Sequence, residues 1–197
     1  MALENGFDIT VGMPLSFSCA QANRFARGGV GILHQMNLVS HLSFGCETDR
    51  LDWLETAADI MNRPDGGYVM KLREGLATGQ SFAKAQGKAL SEAMPELPES
   101  LISSPNFILG LSYIRELKRL DSPMIPVPVM RSGSYHSLDG GPLASATAVR
   151  SMLMNGDEEG AMDACPEPSG LIIRQAVASG RIHPPDGLDR ALIASLK

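Results

Sequence analysis

Short β-prone runs alternate with longer amphipathic stretches along the 197 residues, and this alternation predicts an α/β domain built on a parallel sheet. Three observations carry the prediction. Residues 7–11, 39–44 and 124–131 are short runs rich in Val, Ile and Phe; helix-length segments separate them; and no repeat or low-complexity tract interrupts the order.

The elements follow in sequence. Phe7, Ile9 and Val11 make a β-prone opening, and residues 18–36 carry Phe25, Val30 and Leu33 at helical spacing despite the Gly28-Gly29 pair. A second strand is expected over 39–44. Residues 51–94 are helical and better charged: Leu51, Leu54, Ala58 and Met61 share one face, and the break at 62–67 (Asn-Arg-Pro-Asp-Gly-Gly) precedes further helix from about 69 to 94. This stretch is a helical insertion.

The next helix has an explicit start, with Ser104 as N-cap and Pro105 at the first helical position. Phe107, Leu111, Ile114 and Leu117 form its apolar stripe, and Lys118 and Arg119 suit its negative C-terminal end. In the third strand, 124–131, Pro126 and Pro128 cannot donate to a ladder, which places it at a sheet edge. A final helix pair is expected over 167–179 and 188–196, after the acidic run Asp157-Glu158-Glu159.

Composition excludes several classes. Hydrophobic residues make up 44% and charged residues 20%, with no apolar run near the roughly 18 residues of a membrane span, so a soluble cytoplasmic protein without a membrane partner is expected. The residues after Met1 show neither the basic nor the apolar part of a signal peptide. Cys19, Cys46 and Cys165 lie far apart and match no zinc spacing, so they read as reduced and structural, and no metal-ligating residues are assigned. A net charge of -5 opposes wholesale coating of nucleic acid and confines any RNA contact to a local patch.

In open parallel sheets, ligands sit beyond the carboxyl ends of strands, near helix N-termini. The second strand ends in Ser-Phe-Gly-Cys-Glu, where Gly45 serves either a close approach of backbone to a ligand or a tight turn with positive φ. The third ends in Arg131, either a bidentate phosphate clamp or a solvated, salt-bridging side chain. Asn106, at a helix start, either recognises a nucleotide or caps. Ser145 is a good N-cap for a helix bearing Val149, Met152 and Leu153; its first turn offers backbone N–H groups, the Ser145 and Thr147 hydroxyls, and Arg150 one turn on. Those are the parts of a phosphate site, or of a plain capped surface helix. His136 is a loop base or a solvated side chain, and His34 and His41 are too far apart for a catalytic pair. Lys71, Arg73, Lys84 and Lys88 read as a solvated helix face, with tRNA contacts left unassigned.

Three stretches together carry a resemblance: 5–47, beginning Asn-Gly-Phe-Asp-Ile-Thr-Val-Gly; 101–136, with Ser-Ser-Pro-Asn and the Pro-Val-Pro-Val strand; and 144–156, with Ser-Ala-Thr-Ala-Val-Arg. They are similar, in the same order, to segments of the bacterial tRNA(Met) cytidine acetate ligase family, of the HIGH-motif nucleotidyltransferase superfamily. The resemblance implies a Rossmann-like (HUP-type) parallel sheet, incomplete here, and a boundary between a nucleotidyltransferase-like part over 1–155, with the insertion at about 50–100, and the start of a C-terminal helical region over 156–197. It implies ATP, with Mg2+, as cofactor, and acetate and tRNA(Met) as partners. Acetate is activated as acetyl-adenylate, and the acetyl group passes to N4 of the wobble cytidine. The ATP-binding positions fall on Gly45, Asn106 and Arg131, with Ser145, Thr147 and Arg150 beside the phosphates.

The sequence departs from that family in three ways. It contains no His-x-Gly-His, whose imidazoles stabilise charge developing on the phosphates, so no catalytic residue is assigned and the chain alone is expected to be catalytically incomplete. Residues 1–4 resemble the last turn of a helix stopped by Asn5-Gly6, which leads us to expect a missing upstream segment and a fragment of a longer protein. Gly12 stands where the family tends to carry an acid, and the loop after Tyr135-His136 differs in content. Two other readings compete with the ligase: a non-catalytic nucleotide- or tRNA-binding remnant, and a related small-molecule adenylyltransferase.

Overall fold

The computed structural model describes residues 2–131 and 144–182. The chain divides into two compact units, one formed by Gly12–Ser132 and the other by Met1–Val11 with Gly133–Lys197.

In the Gly12–Ser132 unit the order is α1 (Leu15–Ser18), α2 (Ala22–Met36), β1 (His41–Cys46), α3 (Leu51–Asn62), α4 (Gly66–Ala77), α5 (Phe82–Ala93), α6 (Glu99–Ile102), α7 (Pro105–Arg119) and β2 (Ile125–Met130). β1 and β2 pair in parallel with Phe44 opposite Pro128, Gly45 opposite Val129 and Cys46 opposite Met130. All of α3 to α7 forms the crossover between them, as a parallel pair requires.

Register explains the prolines. The Ile125 N–H donates to Ser40 O at 2.8 Å and the Arg131 N–H to Cys46 O at 3.0 Å, so the odd positions of β2 face β1. Pro126 and Pro128 take the alternate positions, whose missing donors turn away from β1. Among the described residues β2 is an edge strand, as its sequence predicts.

The core of this unit joins α2, α3, α5 and α7 to β1. Val30, Leu54, Ala58, Phe107, Ile114 and Cys46 are buried within it. The apolar stripe read along residues 107–117 is therefore buried as expected. Gly28 explains the glycine pair in α2: a Cβ there would come within 2.6 Å of Phe17 Cβ, so only glycine lets α1 pack so closely.

Several expectations are corrected. Residues 7–11 form no strand; Phe7, Ile9 and Val11 are exposed, because β-propensity is realised only against a pairing neighbour. The helix expected over 18–36 is two, broken at Cys19–Gln21, and β1 starts at His41 instead of residue 39. Ser104 holds the N-cap position of α7, yet its hydroxyl donates to Leu101 O at 2.7 Å and caps nothing. The acidic run at 157–159 itself starts a helix.

The other unit opens with a 3-10 turn, Leu3–Asn5, stopped by Gly6 at φ 90° as the sequence suggests. Asn5 Nδ2 donates to Ser169 Oγ at 2.9 Å. Three helices follow, α8 (Ala146–Met154), α9 (Glu158–Asp163) and α10 (Glu167–Ala178), with Ala148 and Ala161 buried. The helix expected over 188–196 lies outside the described residues.

Candidate functional site

The parallel register brings the carboxyl ends of β1 and β2 side by side, and the sequence-predicted residues of the Gly12–Ser132 unit gather there. Gly45 is the next-to-last residue of β1 and lies opposite Val129. A Cβ on Gly45 would stand 3.3 Å from Arg131 Cγ and 3.4 Å from its Cδ. Gly45 therefore serves a close approach, with the stem of Arg131 laid across the strand. The alternative, a turn with positive φ, is corrected: Gly45 is not among the residues with positive φ.

Asn106 sits in the first turn of α7, beside the same strand end. Its backbone N–H donates to Glu47 Oε1 at 3.2 Å and its Nδ2 to the same oxygen at 2.8 Å. Glu47, one residue past β1, thus supplies the α7 cap that Ser104 does not. Burial raises the Glu47 carboxyl, but the hydrogen bonds from the Asn106 amide and N–H outweigh it and hold the group below its ordinary 4.5. Its other oxygen, Oε2, is buried and has no hydrogen-bond partner among the described residues.

Sequence reasoning missed Glu47. It stands in the same Phe-Gly-Cys-Glu run that singled out Gly45, but nothing local says that a carboxylate there faces a helix start 59 positions away. The charge has a consequence for ligands. A carboxylate already occupies the positive end of α7, so that end suits a neutral part of a ligand better than a phosphate, while Arg131 supplies the cation.

Ser145, Thr147 and Arg150 lie in the other unit. Ser145 caps α8 as predicted, with backbone at φ -65° and ψ 153° and its hydroxyl accepting from the Ala148 N–H at 3.1 Å. Thr147 is half-buried and Arg150 exposed, one turn into the helix. This helix start has the donors expected of it, considered by itself.

The remaining candidates fall to structural roles. His34 Nδ1 lies 3.1 Å from Ser122 Oγ, and His41 Nδ1 2.9 Å from Ser40 Oγ. Lys71 pairs with Glu74 and Glu92 across a solvated surface, at 3.2 and 3.3 Å. Cys19, Cys46 and Cys165 are free, and burial pushes the Cys46 thiol up. His136 and His183 lie outside the described residues. Among the described residues no cluster of His, Cys, Asp or Glu could hold a metal ion, and no helix is long and apolar enough to cross a membrane.

Comparison with known proteins agrees with this geometry. The family model described as HIGH Nucleotidyl Transferase matches residues 1–196. The tRNA(Met) cytidine acetate ligase of Syntrophomonas wolfei is 33% identical, over 100% of this chain and 49% of its own. That of Bacillus velezensis is 34% identical, over 86% of this chain and 42% of its own. The crystal structure of Thermotoga maritima TmcAL bound with alpha-thio ATP superposes with a TM-score of 0.79 at 29% identity, covering 91% of this chain and 43% of that one. The apo form of the same protein gives a TM-score of 0.83 at 28% identity. The chain thus spans about half the length of the curated relatives it matches. The α/β architecture with its parallel pair is a Rossmann-like, HUP-type fold. A match running nearly end to end, over a sheet whose strand ends gather Gly45, Asn106 and Arg131, settles the kinship: the chain belongs to the HIGH nucleotidyl transferase family, where it is similar to tRNA(Met) cytidine acetate ligases.

Proposed function

We propose that this chain carries the nucleotide-handling part of an ATP-dependent, cytoplasmic tRNA ligase. In that reaction an acetate oxygen attacks the α-phosphorus of ATP and pyrophosphate leaves. N4 of the wobble cytidine of tRNA(Met) then attacks the acetyl carbon and AMP leaves. The observation that carries the reading is the convergence at one sheet end of Gly45, Asn106 and Arg131, in a chain similar along its whole length to such ligases.

Each residue has a role that its surroundings allow. Gly45 keeps the strand end open, Arg131 meets a phosphate with a charge-assisted fork, and Asn106, held by Glu47, turns its remaining amide oxygen to a neutral part of the nucleotide. Ser145, Thr147 and Arg150 bring a capped helix start suited to phosphates. Mg2+ arrives as the counter-ion of ATP, since no described cluster offers it a protein cage. In this reading residues 1–155 form the nucleotidyltransferase part and residues 156–197 begin a helical part.

A second reading rests on the sequence itself. The 197 residues contain no His-x-Gly-His, so the imidazole stabilisation of adenylyl transfer has no residue here, which favours binding of ATP and tRNA without turnover. One experiment separates the readings: incubation with ATP, labelled acetate and tRNA(Met), with ATP binding measured in parallel. Labelled tRNA supports the ligase. Bound ATP without label supports the non-catalytic reading, and acetate-dependent release of pyrophosphate that ignores tRNA points to a small-molecule adenylyltransferase.

A further inference from the structure

Away from the strand ends, α2 and α7 enclose a cavity of about 610 Å³ lined by Arg24, Arg27, Arg115 and Arg119, with Phe17, Asn23 and Asn62 around them. Its charges are unevenly answered. Arg119 is matched, its guanidinium reaching both oxygens of the buried Glu116 at 2.6 and 2.8 Å. No carboxylate pairs with the other three among the described residues.

Arg115 is the most telling. Its Nε donates to Asn62 Oδ1 at 3.1 Å and its Nη1 to Asn23 Oδ1 at 3.3 Å, while Asn62 Nδ2 donates back to the Arg115 carbonyl at 3.0 Å. Ser112 fixes Asn23 in turn, donating to the same Oδ1 at 3.0 Å. Neutral amides therefore orient a half-buried guanidinium without neutralising it. Burying a charge without a counter-charge is costly, and orienting it first is worthwhile where an anion completes the site.

Place and company identify the anion. From Asn106 to Arg115 α7 runs nine residues, about 14 Å at roughly 1.5 Å per residue, so the cavity is well along the helix from the end that Glu47 caps. Arg24 lies over the Phe17 ring, 5.8 Å from its centre, and Arg27 stands exposed beside it. Guanidinium groups backed by an aromatic face, with amides between, suit a strand of phosphates and bases better than an acidic peptide.

We propose that this cavity binds the phosphodiester backbone of RNA, with Arg24, Arg27 and Arg115 meeting its phosphates. The inference rests on the tRNA-substrate reading above and gives it a surface. It also moves the RNA contact off the Lys71–Lys88 face to one that an overall charge of -5 conceals.

The test titrates labelled tRNA(Met) with the chain by fluorescence anisotropy over a range of KCl, for the native sequence and for Arg24→Ala/Arg27→Ala, with ATP affinity measured beside it. Both side chains are exposed and make no hydrogen bond among the described residues, so folding is not at stake. The double variant should bind tRNA about tenfold or more weakly, and its log–log salt slope should shrink by about 0.7–0.9 per lost contact, with ATP affinity unchanged. An unchanged slope in a variant that still binds tRNA overturns the cavity assignment and leaves the tRNA reading standing. If the native chain binds ATP but no tRNA at any salt, the tRNA reading falls and takes this inference with it. Displacement of tRNA by poly-glutamate as readily as by polyuridylate assigns the cavity to a protein partner and overturns the RNA proposal.

Discussion

Glu47 Oε1 accepts two hydrogen bonds from one residue, Asn106: from its backbone N–H at 3.2 Å and from its side-chain amide at 2.8 Å. A strand end and a helix start are thereby tied together across 59 positions of sequence. The same bond pair caps α7, orients a nucleotide candidate and sets the charge at that helix end.

Removing the carboxylate should show in stability first. Glu47→Ala leaves the Asn106 N–H without its cap, and a lost cap costs about 1–2 kcal/mol. Glu47→Gln keeps an acceptor oxygen and should cost less. Urea unfolding followed by circular dichroism measures both, and equal midpoints for Glu47→Ala and the native chain would remove the capping role.

The same group gives a pH dependence with a defined sign. Its folded-state carboxyl is held below the ordinary 4.5, so its contribution is present above that value and is lost as pH falls through the lower, folded value. The native chain should therefore lose stability on the acid side of 4.5 more steeply than Glu47→Gln, which has nothing to titrate there. Thermal melts between about pH 3 and pH 7 give the two curves, and parallel acid limbs would show that the carboxylate is not preferentially stabilised in the fold.

Gly45 and Arg131 form the second testable pair. A methyl at position 45 would stand 3.3 Å from Arg131 Cγ, tight but against a flexible stem, so Gly45→Ala should fold and push the guanidinium aside. Gly45→Val should displace it further. ATP affinity should fall in the order native, Ala, Val, with Arg131→Ala losing about ten- to a hundredfold, the equivalent of one charge-assisted contact of roughly 1.5–3 kcal/mol. Isothermal titration with ATP decides the order; native affinity in Arg131→Ala would place the phosphates elsewhere.

How far the sequence foretold this arrangement depends on whether a signal was local. The stripe at Phe107, Leu111, Ile114 and Leu117, the Ser145 cap and the edge position of Pro126 and Pro128 are each written in a few consecutive residues, and each is present. Residues 7–11 had the propensity of a strand without a partner, and propensity alone does not hold one. Ser104 had the identity of a cap, but Glu47 took the role from far away in sequence, a choice only the tertiary fold makes. The arginine cavity was hidden for the same reason: Arg24 and Arg27 are distant in sequence from Arg115, and a net negative charge gave no hint that two helices gather them.

The α8 start offers the last prediction, because its groups separate by reach. Ser145 is committed to capping, accepting from the Ala148 N–H at 3.1 Å, so Ser145→Ala should cost helix stability, about 1 kcal/mol, whatever it does to ATP. Arg150 is exposed and one turn further on, so Arg150→Ala should leave the melt unchanged and weaken ATP by about tenfold or more, through loss of a charge-assisted phosphate contact. Thr147→Ala should weaken ATP less than Arg150→Ala, because a neutral hydroxyl contributes less to a phosphate than a guanidinium does. Melting temperature and ATP affinity measured on the three variants separate capping from binding. If Arg150→Ala binds ATP as the native chain does, α8 is a capped surface helix and the phosphates belong to Arg131 without it.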